Sequence, residues 1–333
     1  MRKNVNLENW RLAWLENATL RQEKIALKTG ADVRAYGCKT MEATVPGNFE
    51  MDFMREGLLD DIYMGTNTLQ TQKLENLHLY YFTEFTYTEE KDMDANLCFE
   101  GVDTAAEIYL DGEKIGFVEN MLHAHRFSLN GVKEGKHDLL VHILPSAIYA
   151  RQFEIPAMCY GMKYNMDGIM LRKPGSMFGW DIMPRIVSGG LWKPVFIEYL
   201  PKARLVNPYT YTFKFCGKEK KDAWLITAFK IETQHDFISD YTVVLKGKCG
   251  DSEFYQEYRP FCASTRIEFL FENPKLWWPK NYGEPNLYDV ELTLLYKGVE
   301  SVFFKAGHPL HDALCQHSVS KLQEACNVCS GHI

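Results

Sequence analysis

Over most of the chain, apolar and polar residues alternate with a period near two, the pattern of half-buried strands. "HLYYFTEFTYT" (His78–Thr88) is rich in Tyr, Phe and Thr and reads as one such strand. "ANLCFEGVDTAAEIYLDGEKIGFVEN" holds two more runs, the second broken at Asp111-Gly112, a tight-hairpin signal. "RFSLNGVKEGKHDLLVHILP" gives strand, Gly-marked turn and strand. Beyond Pro201, short runs recur as "YTYTFKF", "AWLITAFKIET", "YTVVLKGKC", "TRIEFLFEN", "LYDVELTLLYK" and "VESVFFK". Helix is expected only near the start and in a few connections. Phe153–Lys173 lacks a clean period and reads as a long irregular connection, the kind that carries function in compact domains. Strand count and turn spacing predict an all-β chain of two consecutive antiparallel sandwiches, residues about 1–200 and 201–305.

Composition adds bounds. A length of 333 residues suits two domains, and 46% hydrophobic with 24% charged residues is ordinary globular material. Aromatics reach 14%, which favours strands and is compatible with carbohydrate surfaces. A net charge of −7 with no basic stripe argues against nucleic acid as a partner. No apolar run approaches the length of a membrane span, so no membrane partner is expected. The start, "MRKNVNLENWRLAWLEN", has no apolar core behind its basic pair and is read as no signal peptide. Nine irregularly placed cysteines point to reduced thiols and a cytoplasmic location. No cofactor and no metal are expected.

Several motifs have structural readings. Val45-Pro46-Gly47 reads as a turn and strand entry with no ligand role, and Trp277-Trp278-Pro279 as a core and corner element of the second sandwich. Asp103 and Glu107 read as hydrogen-bonded structural groups. His123-x-His125 would share one strand face, but two ligands do not make a metal site. Lys218–Asp222 reads as a solvated loop.

Taken in order, these motifs resemble glycoside hydrolase family 2. The carriers are "VPGNFEMDFMREGLLDDIYMGTN" (Val45–Asn67), "LHLYYFTEF", "FEGVDTAAEIYLDGEKIGFVENM", "HRFSL", "FGWD…PR…SGGLWKPV" and "NPKLWWPKNYGEPNLYDVEL". They cover roughly residues 8–305, and the Phe-Gly-Trp-Asp segment is similar to that of β-mannosidase-type members. The resemblance implies a jelly-roll, galactose-binding-like sandwich, then an immunoglobulin-like sandwich, then a (β/α)8 barrel that carries the chemistry. The barrel is missing from this chain. Retaining glycosidases need two carboxyl groups about 5–5.5 Å apart; the family keeps both on the barrel, so no catalytic residue is assigned here. The implied role is the N-terminal portion of an exo-acting retaining β-glycosidase hydrolysing terminal β-D-mannosides, inactive alone, with β-galactosidase or β-glucuronidase as the alternative specificity. A free-standing carbohydrate-binding or interaction module is the competing function.

"SMFGWDIMPRIVSGGLWKPVFIEYL" (Ser176–Leu200) places Trp180 beside Asp181 in a turn-rich stretch. An indole stacks on the apolar face of a pyranose and a carboxylate accepts from its hydroxyls. In β-mannosidase-type members the matching loop reaches over the barrel mouth, so the resemblance implies Trp180 and Asp181 as substrate-binding residues for the terminal sugar. This chain has Ile182-Met183 before Pro184 in place of the commoner Trp-Gly, which leaves the sugar open. The plainer alternative is that Trp180 is core and Asp181 caps a turn. A surface built to meet a barrel should be apolar. We expect that patch at Phe178, Trp180, Ile182 and Met183, with Met162, Tyr164 and Met166 beside it, and expect it to promote self-association.

The tail Ala306–Ile333 departs from the family, which has a Gly-Ile-Arg-Ser/Thr strand there. A one-base shift in codons for Gly307–His311 can read Gly-Ile-Arg-Ser, so a frameshift near Lys305–Gly307 is one expectation. A zinc site at Cys326, Cys329 and His332, completed by Cys315, His308 or His317, is the rival reading, and it is not expected because the spacing is looser than such sites use.

Overall fold

A computed structural model describes residues 3–91, 93–156, 166–217, 221–233 and 235–305. The tail, with its frameshift and zinc readings, lies outside the described residues, as do Met162 and Tyr164. The chain divides into two compact units, Arg2–Tyr199 and the residues from Leu200 on.

The first unit contains β1 (Lys3–Asn6), β2 (Arg11–Glu16), β3 (Thr40–Glu42), β4 (Leu77–Tyr87), β5 (Met93–Phe99), β6 (Ala106–Leu110), β7 (Glu113–Val118), β8 (His125–Ser128), β9 (Gly135–Ile143) and β10 (Val195–Pro201). Two sheets result, in the orders β1-β10-β5-β8 and β3-β2-β4-β9-β6-β7. Their facing side chains, among them Leu12, Leu79, Tyr81, Leu97, Phe99, Ile108, Val141 and Ile197, form the principal core. This is the expected jelly-roll-like sandwich.

Strand β4 is buried on both faces for most of its length, which its alternating sequence did not suggest. Tyr81 and Phe85 enter the main core, whereas Tyr80 and Phe82 join a smaller cluster with Val33 and Leu140. Val33 belongs to α2 (Gly30–Tyr36), which follows α1 (Asn17–Glu23). Helix α2 starts on a reciprocal Thr29–Asp32 capping box and ends with Gly37 in the left-handed region. Between β6 and β7, Asp111 and Gly112 both have positive φ (51° and 83°), as the hairpin signal requires. Two further short helices, α3 (Phe49–Arg55) and α4 (Ser146–Ala150), lie in connections. Val45-Pro46-Gly47 therefore leads into a helix and not into the expected strand, because the Asn48 side chain accepts from Met51 N and caps α3.

The second unit contains β11 (Arg204–Cys216), β12 (Asp222–Glu232), β13 (Tyr241–Cys249), β14 (Ser252–Tyr258), β15 (Ser264–Phe271), β16 (Asp289–Tyr296) and β17 (Val299–Lys305). A sheet ordered β11-β12-β15 accompanies one ordered β14-β13-β16-β17. Leu225, Phe229, Tyr241, Val243, Phe269, Leu292 and Leu294 fill the core, giving a seven-stranded immunoglobulin-like sandwich. Trp277 and Trp278 form the expected corner, with Trp278 N donating to Glu284 O at 3.0 Å, but both indoles are half-buried and stand outside that core.

Candidate functional site

The connection from α4 back to β10 builds the candidate site. Gly175–Phe178 makes one 3-10 turn after Pro174. Gly179 then takes φ 109°, ψ 144°, a conformation that disfavours any side chain. Trp180 N donates to Met183 O at 3.1 Å, and Met183 N donates to Trp180 O at 3.2 Å. A second rung, Ile186 N to Met177 O at 3.0 Å, closes a small hairpin whose tip is Asp181-Ile182.

The tip faces solvent. Trp180 is 48% exposed and Ile182 90%. The side chains of Trp180 and Asp181 have no hydrogen-bond or ion-pair partner among the described residues. Thus Trp180 is not core, and Asp181 does not cap the turn. Phe178 departs from the expected patch: it is fully buried with Leu171, Val187 and Ala150. Its ring occupies the space beside Gly168, where an added Cβ would lie 2.6 Å from Phe178 Cδ2. Met166 is half-buried. The exposed patch therefore consists of Trp180, Ile182 and Met183, and Phe178 is the anchor beneath them.

Three polar ties hold the loop. Arg185 forks onto Glu75, with Nε to Oε1 at 2.7 Å and Nη2 to Oε2 at 2.6 Å. The Glu75 carboxylate raises the guanidinium's already high pKa. Before the turn, the buried Lys173 ammonium donates to Asp103 and, at 2.7 Å, to Ser188 O. After the turn, Ser188 Oγ donates to Glu50 Oε2 at 2.8 Å. Burial pushes the Glu50 carboxyl up to about 7, with the Ser188 hydrogen bond opposing the shift. Asp103 also pairs its backbone with Gly190, N to O at 2.9 Å and O to N at 3.2 Å. Asp103 is thus the structural group expected of it.

Glu107 is structural as well. It accepts from Tyr109 Oη at 2.7 Å and from Lys114, and His142 Nδ1 lies 3.4 Å away; the His142 contact and these donors hold it well below the usual carboxylate range. The His123 and His125 rings lie 5.7 Å apart, and His125 Nε2 donates to Asn120 O. Among the described residues no group of three or more His, Cys, Asp or Glu is placed to hold a metal. No described helix is long and apolar enough to cross a membrane. A hollow of about 880 Å³ lies on the second unit between Lys246, Lys248, Tyr255 and Asp289, where β13 and β16 set lysines opposite carboxylates.

The sequence singled out the turn but missed its ties. Signals existed: Glu50 is flanked by Phe49 and Met51, and Lys173 follows "GIMLR". Their partners, 138 and 70 residues away, could not be paired without the fold.

The profile described as "Glycosyl hydrolase 2 galactose-binding domain-like" matches residues 20–193, and that for "Glycosyl hydrolases family 2" matches residues 220–303. The chain belongs to glycosyl hydrolase family 2. Beta-mannosidase B of Thermothelomyces thermophilus is 28% identical over 256 residues, 75% of this chain and 29% of that protein. Beta-mannosidase of Mus musculus is 26% identical over 282 residues, 79% of this chain and 31% of that protein. The crystal structure of β-D-mannosidase from Dictyoglomus thermophilum superposes with a TM-score of 0.73 at 28% identity, covering 90% of this chain and 35% of that one. The chain spans about 30% of the length of the family 2 relatives it matches.

Proposed function

We propose that this chain is the N-terminal, non-catalytic portion of an exo-acting retaining β-glycosidase of β-mannosidase type, and that its Trp180–Met183 turn contacts the terminal β-D-mannoside. The carrying observation is a clamped turn that offers a half-exposed indole next to a carboxylate with no partner among the described residues. A protein that needed either group for its own fold would have buried or paired it. A pyranose uses both: its C–H face stacks on the ring and adjacent hydroxyls donate to the carboxylate. The relatives named beta-mannosidase, each about three times the matched length, support a partner barrel that supplies the two catalytic carboxyls. Trp180 and Asp181 then bind and orient sugar, while proton transfer and nucleophilic attack belong to that barrel. The reduced thiols of Cys38, Cys216, Cys249 and Cys262 fit the cytoplasm as its location.

A chromogenic β-mannoside tests the reading. The 333-residue chain alone should give no turnover above a buffer blank. Residues 1–305 joined to the remainder of the Dictyoglomus thermophilum enzyme should cleave the β-mannoside in preference to the β-galactoside and β-glucuronide. Sugar binding by the chain alone, with an inactive chimaera, would instead favour a free-standing module.

A further inference from the structure

The tip residues Trp180, Asp181 and Ile182 contribute almost nothing to their own placement. All three face solvent, and the hairpin they end has only two backbone rungs. Two features set where it points. Phe178 is buried as an anchor, but a single aromatic ring leaves the hairpin free to rock about it. Arg185 removes that freedom. It emerges two residues after Met183, donates through Nη1 to Phe178 O at 3.3 Å, and so spans the base of the hairpin from one arm to the other. Its guanidinium carbon lies 5.3 Å from the Phe178 ring centroid. Its other nitrogens fork onto Glu75, two residues ahead of β4, the inner strand between β2 and β9. Asp167 Oδ2 stands 3.8 Å from Nη2, which also donates to Glu75.

We infer that Arg185, held by Glu75, is the positioning residue that fixes the Trp180–Asp181 turn for sugar contact. This rests on the proposed role of the turn and adds how its geometry is kept. A planar two-pronged donor fixes direction as well as distance, which a lysine ammonium, a point charge on a flexible stem, does not. The backbone that carries Asp181 is thereby held in place, while its exposed carboxylate has no bond to another described residue and keeps its acceptor sites open.

Amide hydrogen exchange of the full chain without sugar tests this separately from sugar contact. In Arg185→Lys, exchange at the Trp180 and Met183 amides should accelerate about tenfold, while amides of β4 and β9 keep their wild-type rates. Glu75→Gln should act in the same direction, and the double variant should be no worse than Arg185→Lys alone, because both substitutions remove the Arg185–Glu75 fork. Unchanged exchange at Trp180 and Met183 would overturn the inference. So would acceleration spread evenly over the unit, or unfolding of Arg185→Lys, since either makes Arg185 a support of the fold and not of the turn. Asp181 failing to meet a sugar would leave these rates untouched.

Discussion

Lys173 and Asp103 form an ion pair with both side chains removed from solvent, 70 residues apart in sequence. Lys173 lies just before the loop that carries the turn, and Asp103 binds the backbone of Gly190 just after it. One pair thus closes both ends of that loop. Removing one partner of a buried pair strands the other charge, which costs about 3–5 kcal/mol. Lys173→Met should lower the stability of the first unit by that amount in a urea melt, and Lys173→Met with Asp103→Leu should recover part of it.

Glu50 gives a pH dependence of unusual sign. Its carboxyl rises from 4.5 to about 7 on folding because it is buried. Between those values the native state holds a proton that the unfolded state has lost, so stability falls as pH rises through this window and is flat above it. The total is ~3 kcal/mol. Glu50→Gln keeps an acceptor for Ser188 and cannot ionise. Its stability advantage over the wild type should grow from pH 4.5 to 7 and then level off, as read from chemical melts at each pH.

His78 acts in the opposite direction. Burial pulls its imidazole down from 6.5 to about 3, with the neighbouring His142 adding to the shift. Its Nε2 donates to Asn17 Oδ1 at 3.1 Å, and its Nδ1 faces His142 Nε2 at 2.9 Å. As pH falls through that window the unfolded state takes up a proton the native state refuses, at ~1.4 kcal/mol per pH unit. His78→Gln should therefore lose stability less steeply than the wild type between pH 6.5 and 3. Where the two windows overlap, Glu50 and His78 largely cancel in the wild type.

The architecture was legible in the sequence because strand periodicity and turn chemistry are local. "AWLITAFKIET" became β12, "YTVVLKGKC" became β13, and Asp111-Gly112 became a hairpin turn. Strand β14, "SEFYQEY", went unread: its apolar residues are few and every position is at least partly exposed. Which face of an aromatic stretch is covered is not local information. Phe178 and Trp180 look alike in sequence; the gap beside Gly168 takes the first and leaves the second outside. The ties at Glu50, Glu75 and Asp103 escaped for the same reason.

Exposed Ile182, Trp180 and Met183 have a cost in water of roughly 25 cal/mol per Å² of apolar surface. The chain is expected to self-associate as concentration rises in sedimentation velocity. Ile182→Glu, at the most exposed of these positions, should weaken that association without lowering the unfolding midpoint.

Asp181 decides the central claim. Asp181→Asn removes the charge and keeps the shape, so turnover of a β-mannoside by the chimaera of residues 1–305 with the Dictyoglomus thermophilum remainder should fall about tenfold or more, the worth of one charge-assisted hydrogen bond. The same substitution in the 333-residue chain should change stability by less than about 0.5 kcal/mol, since the carboxylate has no protein partner among the described residues. Undiminished turnover, or a chain that unfolds on Asp181→Asn, would contradict the assignment of Trp180 and Asp181 to the sugar.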